Sequence, residues 1–165
     1  MNKKCEKCGK FFEAKQEFLR ICPQCFSDSA RRAFQLPPEL LLKTYYDSEG
    51  NLLKEVFMGP PEEISKILAR DDLAVKQLRD FHLLIARARN KAILKDINVA
   101  RPLLYECQRN VEYQLKRKVI PQSFGHFMKH HLAIAEKDEK NLEGFFQHLE
   151  SVVAFYPTKE KGGVK

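Results

Sequence analysis

The stretch Asp72–Leu94, DLAVKQLRDFHLLIARARNKAIL, decides the fold. Set on a helical wheel, Ala74, Leu78, Phe81, Ile85, Ala88 and Ala92 fall within a sector of roughly 90°, the apolar stripe of a helix that faces a bundle core. Lys76, Arg79, Arg87 and Lys91 occupy the opposite side over roughly 120°. One helix thus carries a core face and a cationic edge. Arg89 lies off that edge and is expected to pair with an acid of a neighbouring helix.

Outward from this segment the pattern repeats. A helix over Arg101–Lys118 turns Leu104, Cys107, Val111 and Leu115 inward, while Arg109 and Lys116 point away, Arg101 and Arg117 flank them and Lys118 extends the run. Further helices are predicted over Glu62–Ala69, Gln122–Glu136 and Glu139–Tyr156. The predicted stops are Asp71-Asp72, Ile97-Asn98, Pro121 and Lys137-Asp138. Pro61-Glu62-Glu63 places a proline and acids in a first helical turn. Upstream, Lys43–Tyr46 and Leu52–Phe57 are β-compatible runs separated by Asp47-Ser48-Glu49-Gly50-Asn51, a loop suited to a hairpin. The predicted class is mainly α: a bundle of about five helices, preceded by a short β-hairpin and an N-terminal zinc finger of treble-clef or ribbon type. The corresponding divisions are 1–36 for the cysteine module, 37–60 for linker and hairpin, 61–157 for the bundle and 158–165 for a disordered tail. The Pro37-Pro38 pair marks the first joint.

The zinc finger rests on Cys5-Glu6-Lys7-Cys8-Gly9 and Cys22-Pro23-Gln24-Cys25, two C-x2-C pairs separated by thirteen residues. The two-residue gap lets both sulfurs of a pair reach one ion, and two pairs complete a tetrahedron around Zn²⁺. Gly9 supplies the permissive backbone of a knuckle, and Ser27–Gln35 is compatible with a helix after the second pair. Four thiolates leave no open coordination position, so the ion is expected to be structural. A disulfide framework conflicts with the lack of a secretory pattern, and a redox C-x2-C does not normally occur twice. Cys107, between Leu104 and Val111 on an apolar face, reads as core.

The 165 residues carry a net charge of +7, unevenly placed. Lys76–His131 holds twelve basic and four acidic residues, whereas Leu36–Val75 holds four basic and eight acidic. A basic middle suits a polyanion partner, and it also suits an ordinary solvated helical surface. Two parallel rows of cations could follow a phosphate backbone without reading bases. No apolar run reaches the length of a membrane span, and MNKKCEKCGK lacks the apolar stretch of a secretory leader. A cytoplasmic chain with no membrane partner is therefore expected.

His126 and His130 are spaced to clasp a metal, with His131 adjacent, but the residues around them offer no further ligand. Polar contacts, including to phosphate, are the expected use. His82 and His148 have no evident partner in sequence. The phosphate loop, nucleophile elbow, zincin pair and paired-carboxylate motifs are all missing, so no catalytic residue is assigned and the chain is not read as an enzyme.

Tyr45–Leu52 followed by Val75–Phe81 is similar to the small subunit of the type III-A CRISPR-Cas interference complex, the Csm small subunit. Pro102-Leu103-Leu104-Tyr105, Phe124-Gly125-His126-Phe127 and the closing Asn141–Tyr156 agree with that family in order. The resemblance covers roughly Lys43–Pro157. It implies a helical bundle that lines up in copies along paired guide RNA and target RNA, touches the other subunits of the effector complex and performs no chemistry itself. Carried onto this chain, Lys76, Arg79, Arg87, Lys91, Arg109, Lys116 and Arg117 would bind RNA phosphates. Lys76 stands where the family often has a small hydroxyl residue, and the module of Cys5, Cys8, Cys22 and Cys25 is not a usual part of it. The rival readings are a zinc-finger DNA-binding regulator whose helical part dimerises and a small ribonuclease that uses the histidines.

Overall fold

The computed structural model describes residues 2–14, 19–26 and 35–157. The chain divides into two compact units, Met1–Gln35 and Leu36–Lys165.

In the first unit, strands β1 (Asn2–Lys4) and β2 (Phe11–Glu13) pair antiparallel, with Asn2 opposite Glu13, Lys3 opposite Phe12 and Lys4 opposite Phe11. The turn between them closes through hydrogen bonds from Cys5 N to Lys10 O and from Gly9 N to Cys5 O, both 2.9 Å. Gly9 takes φ +72°, a left-handed conformation that costs a glycine little. Residues 23–26 form a helical turn directly after Cys22. The first cysteine pair thus sits in a hairpin turn and the second at the start of a helical turn. The helix expected over Ser27–Gln35 and the tail expected over 158–165 fall on residues 27–34 and 158–165, outside the described residues.

The second unit is helical. A 3-10 turn, Pro38–Leu40, precedes α1 (Lys54–Phe57), α2 (Pro60–Arg70), α3 (Val75–Leu94), α4 (Ile97–Lys116), α5 (Gln122–Ala135) and α6 (Glu139–Phe155). The last five are the predicted bundle. Helix α3 packs along α4 and α6, and α6 also meets α1, α2 and α5, so the final helix is the hub of the core. It contributes Leu142, Phe145, Phe146, Leu149 and Val152 to the buried set. Burying a side chain of this size contributes roughly 1.5 to 3 kcal/mol.

Several boundaries differ from the sequence reading. Helix α3 starts at Val75 because Asp72 adopts φ +60°, outside the right-handed helical region, and Ala74 is extended. Helix α4 starts at Ile97, four residues before the predicted Arg101. The Asp96 carboxylate accepts from Asn98 N (2.7 Å) and Val99 N (3.2 Å), an N-cap that leaves Pro102 inside the first turns. The ribbon expected over Lys43–Phe57 is reduced to a single antiparallel bridge, Tyr46 to Leu52. Asp47 turns the chain as expected by accepting from Glu49 N (2.9 Å) and Asn51 N (2.8 Å). Immediately afterwards Lys54–Phe57 coils into α1, which buries Val56 completely. The two-stranded hairpin of this protein lies in the cysteine unit instead.

Two close approaches fix the packing. A Cβ on Gly144 would lie 2.5 Å from the Tyr45 ring, and one on Gly125 would lie 2.6 Å from Leu115. Tyr45 therefore rests directly on the backbone of α6, and α5 approaches α4 through Gly125.

Four histidines tie the segment 36–56 to the bundle in chain order. Leu36 N donates to His126 Nδ1 (3.2 Å), His130 Nε2 donates to Leu42 O (2.8 Å), the Tyr45 hydroxyl donates to His131 Nδ1 (2.6 Å), and His148 Nδ1 donates to Val56 O (3.1 Å). The imidazoles expected to reach outward to phosphate are thus spent on the protein's own chain. Among the described residues the one cluster of metal-ligating groups is the four cysteines.

Candidate metal centre and nucleic-acid interface

The hairpin turn delivers Cys5 and Cys8, and the start of the helical turn delivers Cys22 and Cys25. Their four sulfurs all lie within 4.8 Å of one another. Cys8 Sγ and Cys22 Sγ are 3.8 Å apart, which is the edge of a tetrahedron with metal–sulfur bonds of about 2.3 Å. Cys5 and Cys22 are buried, Cys25 is partly so and Cys8 is exposed. Backbone N–H groups support the cluster: Cys22 N donates to Cys5 Sγ at 3.3 Å and Cys25 N to Cys22 Sγ at 3.4 Å. The first of these bonds leads in pulling the Cys5 thiol down to about 6. Hydrogen bonding to the Cys8 and Cys22 sulfurs pushes Cys25 up to about 12. Four sulfurs this close hold negative charge together only around a cation, and the donor set fits a metal ion with no free position for substrate.

The predicted phosphate-binding residues lie on α3 and α4. Lys76, Arg79, Arg87, Lys91, Arg109, Lys116 and Arg117 are all exposed. Arg79, Arg87, Lys91, Arg109 and Lys116 form no ion pair among the described residues. Lys76 meets Asp80 one turn along (2.8 Å), a pair 80% and 50% exposed that holds the amine only weakly. Arg117 donates to the Tyr113 hydroxyl (2.6 Å) and lies over its ring. Three further cations of this basic stretch, Arg89, Arg101 and Lys129, are used internally. Arg89 pairs with Glu143 of α6 and covers the Phe146 ring at 4.7 Å, as its place off the cationic edge predicted. Burial pushes the Glu143 carboxyl up, but hydrogen bonds from Arg89 and Gln147 outweigh it and leave the group below its usual range. Arg101 donates to the carbonyls of Glu136 and Lys137 beyond the end of α5, where a cation also meets the negative end of the helix. Lys129 meets Glu112 at 2.6 Å.

A groove of about 610 Å³ runs between α3 and α4, lined among others by Leu83, Leu84, Arg87, Asn90, Asn110 and Gln114. The sequence reading passed over its carboxamides. The signal was present: asparagine is a poor residue for a helix interior, and α3 and α4 each place one there.

The histidines sit in an aromatic core. His131 stacks on Phe145 with centroids 5.3 Å apart and lies 5.0 Å from His148. Burial holds His131 well below its usual range and lowers His148 to about 4. Among the described residues no helix is long and apolar enough to cross a membrane.

A family model described as Csm2 Type III-A matches residues 54–161, from α1 through all five long helices. No curated protein and no solved structure matches the chain. The matched region is the bundle with its cationic helices and leaves the cysteine unit outside. It does not favour a zinc-finger transcriptional regulator. The chain belongs to the Csm2 type III-A family and is a small subunit of a type III-A CRISPR-Cas complex.

Proposed function

We propose that this subunit grips the backbone of paired guide RNA and target RNA through Lys76, Arg79, Arg87 and Lys91 of α3 and Arg109, Lys116 and Arg117 of α4. It packs against other subunits of the effector complex and further copies of itself, and catalyses nothing. The observation that carries this reading is the exposure of all seven cations on two helices packed along each other, six of them without a carboxylate partner among the described residues. Lysine and arginine gain binding energy at phosphates by releasing condensed counterions, irrespective of base identity. A-form duplex suits such a surface, because its deep major groove is closed to side chains. The cysteine cluster holds a structural Zn²⁺, which supplies cross-linking of its own unit and leaves the RNA surface to the bundle.

The test is RNA binding as a function of salt. Affinity for duplex RNA should be indifferent to sequence and fall by roughly 10³ between 50 and 200 mM salt if about six phosphates are neutralised. Arg79→Glu combined with Arg87→Glu should abolish binding with the helical circular dichroism unchanged. Binding that ignores both salt and these substitutions would refute the reading.

A further inference from the structure

We infer that the groove between α3 and α4 receives one unstacked nucleobase of the bound RNA, a base bearing an exocyclic amino group, with its phosphate on Arg87. The inference rests on the RNA-binding reading above and adds to it a pocket for a base.

Size, chemistry and charge each point this way. At about 610 Å³ the groove lies within the range of about 300 to 1,000 Å³ that holds small planar ligands. Its apolar surface comes from Leu84 and from Leu83, which is 59% exposed although it sits in the middle of a helix. A flat aromatic ring can lie on such a surface. The polar lining is unspent: the Asn90 and Asn110 side chains make no hydrogen bond among the described residues, and Gln114 Oε1 is shut off from solvent with no donor.

A bare acceptor of this kind discriminates among occupants. It needs an N–H, which phosphate oxygens lack, so the groove is not one more phosphate site. An apolar side chain from a protein would cover Leu83 but leave Gln114 Oε1 unmet. An amino-bearing base offers a donor and ring acceptors on one edge, the pattern that carboxamides bind in pairs. Arg87 lines the same groove without an acidic partner, while Asp80 beside it is engaged by Lys76. The Arg87 guanidinium is thus free to meet a nucleotide's phosphate.

The full chain can be titrated by fluorescence anisotropy against three labelled RNA duplexes: one fully paired, one with a single bulged adenosine and one whose bulged position is abasic. The bulged adenosine should bind about tenfold tighter than the abasic bulge, the discrimination typical of one good carboxamide–base pairing. Gln114→Leu, close in size and free of the bare acceptor, should erase most of that preference without changing affinity for the paired duplex. Asn110→Leu should do the same from a second position. Equal affinity for adenosine and abasic bulges, or a preference that survives both substitutions, overturns the proposal and leaves phosphate binding standing. Failure to bind any of the three duplexes overturns both.

Discussion

The hydroxyl of Tyr45 lies 2.6 Å from Nδ1 of His131, and both residues are sealed from solvent although 86 positions separate them. Tyr45→Phe keeps the ring on Gly144 but leaves an imidazole nitrogen without its donor in the core. The expected loss is about 1 to 3 kcal/mol, read as a lower urea midpoint at unchanged slope.

The same region makes stability depend on pH. The pKa values of His131 and His148 are lower in the folded chain than in the unfolded one, so the unfolded state takes up protons first as pH falls. Their contribution is complete above about pH 6.5 and is lost as pH falls toward the folded value, about 4 for His148. The groups around them sharpen this, since His148, His130 and His126 oppose a charge on His131 and His130 opposes one on His148. Urea midpoints from pH 7.5 to 4 should drop steadily, with His148 alone contributing on the order of 3 kcal/mol by pH 4. A flat profile would count against the buried neutral imidazoles.

Gly144→Ala should be among the most damaging single-methyl changes in the chain. The new carbon would meet the Tyr45 ring at 2.5 Å, and the tyrosine cannot withdraw while His131 holds its hydroxyl. Overpacking of this kind costs about 1 to 3 kcal/mol, visible as a lower melting temperature.

Two arginines two residues apart should behave oppositely. Arg89→Ala removes the pair with Glu143 and the cover over Phe146, and should cost about 1 to 2 kcal/mol of stability. Arg87→Ala lies on the exposed edge and should stay within about 0.5 kcal/mol of the parent. Duplex RNA affinity should show the reverse order.

The cysteine unit gives a prediction of its own. Purified protein should carry one zinc per chain by elemental analysis, and Cys8→Ser should lower its retention during dialysis against chelator. Helical circular dichroism should barely change, because the bundle has a continuous core from Leu36 to Val152.

How far the sequence could be read follows from the range of the forces involved. The stripe Leu78, Phe81, Ile85, Ala88 and Ala92 is repeated every turn, and all five side chains are buried in α3. The cysteines declare themselves by spacing, and their sulfurs converge. The start of α4 was misread because Pro102 resembles a first helical residue, whereas the capping carboxylate belongs to Asp96. The β-pattern of Leu52–Phe57 was outweighed by tertiary burial of Val56, whose carbonyl accepts from His148. The roles of the histidines were illegible, since their partners lie 86 to 92 positions away and no local pattern encodes them.

Those long separations impose an order of events at the ribosome. Residues 36–56 leave the exit tunnel well before the helices that hold them, and Val56 waits for the last helix of all. Until α6 has been synthesised, the Tyr45 ring lacks the Gly144 backbone on which it rests and Val56 lacks His148, so docking of this segment is completed only by the last helix. A nascent chain arrested before α6 should keep the end of this stretch from Tyr45 to Val56 open to protease, and release of the finished chain should close it.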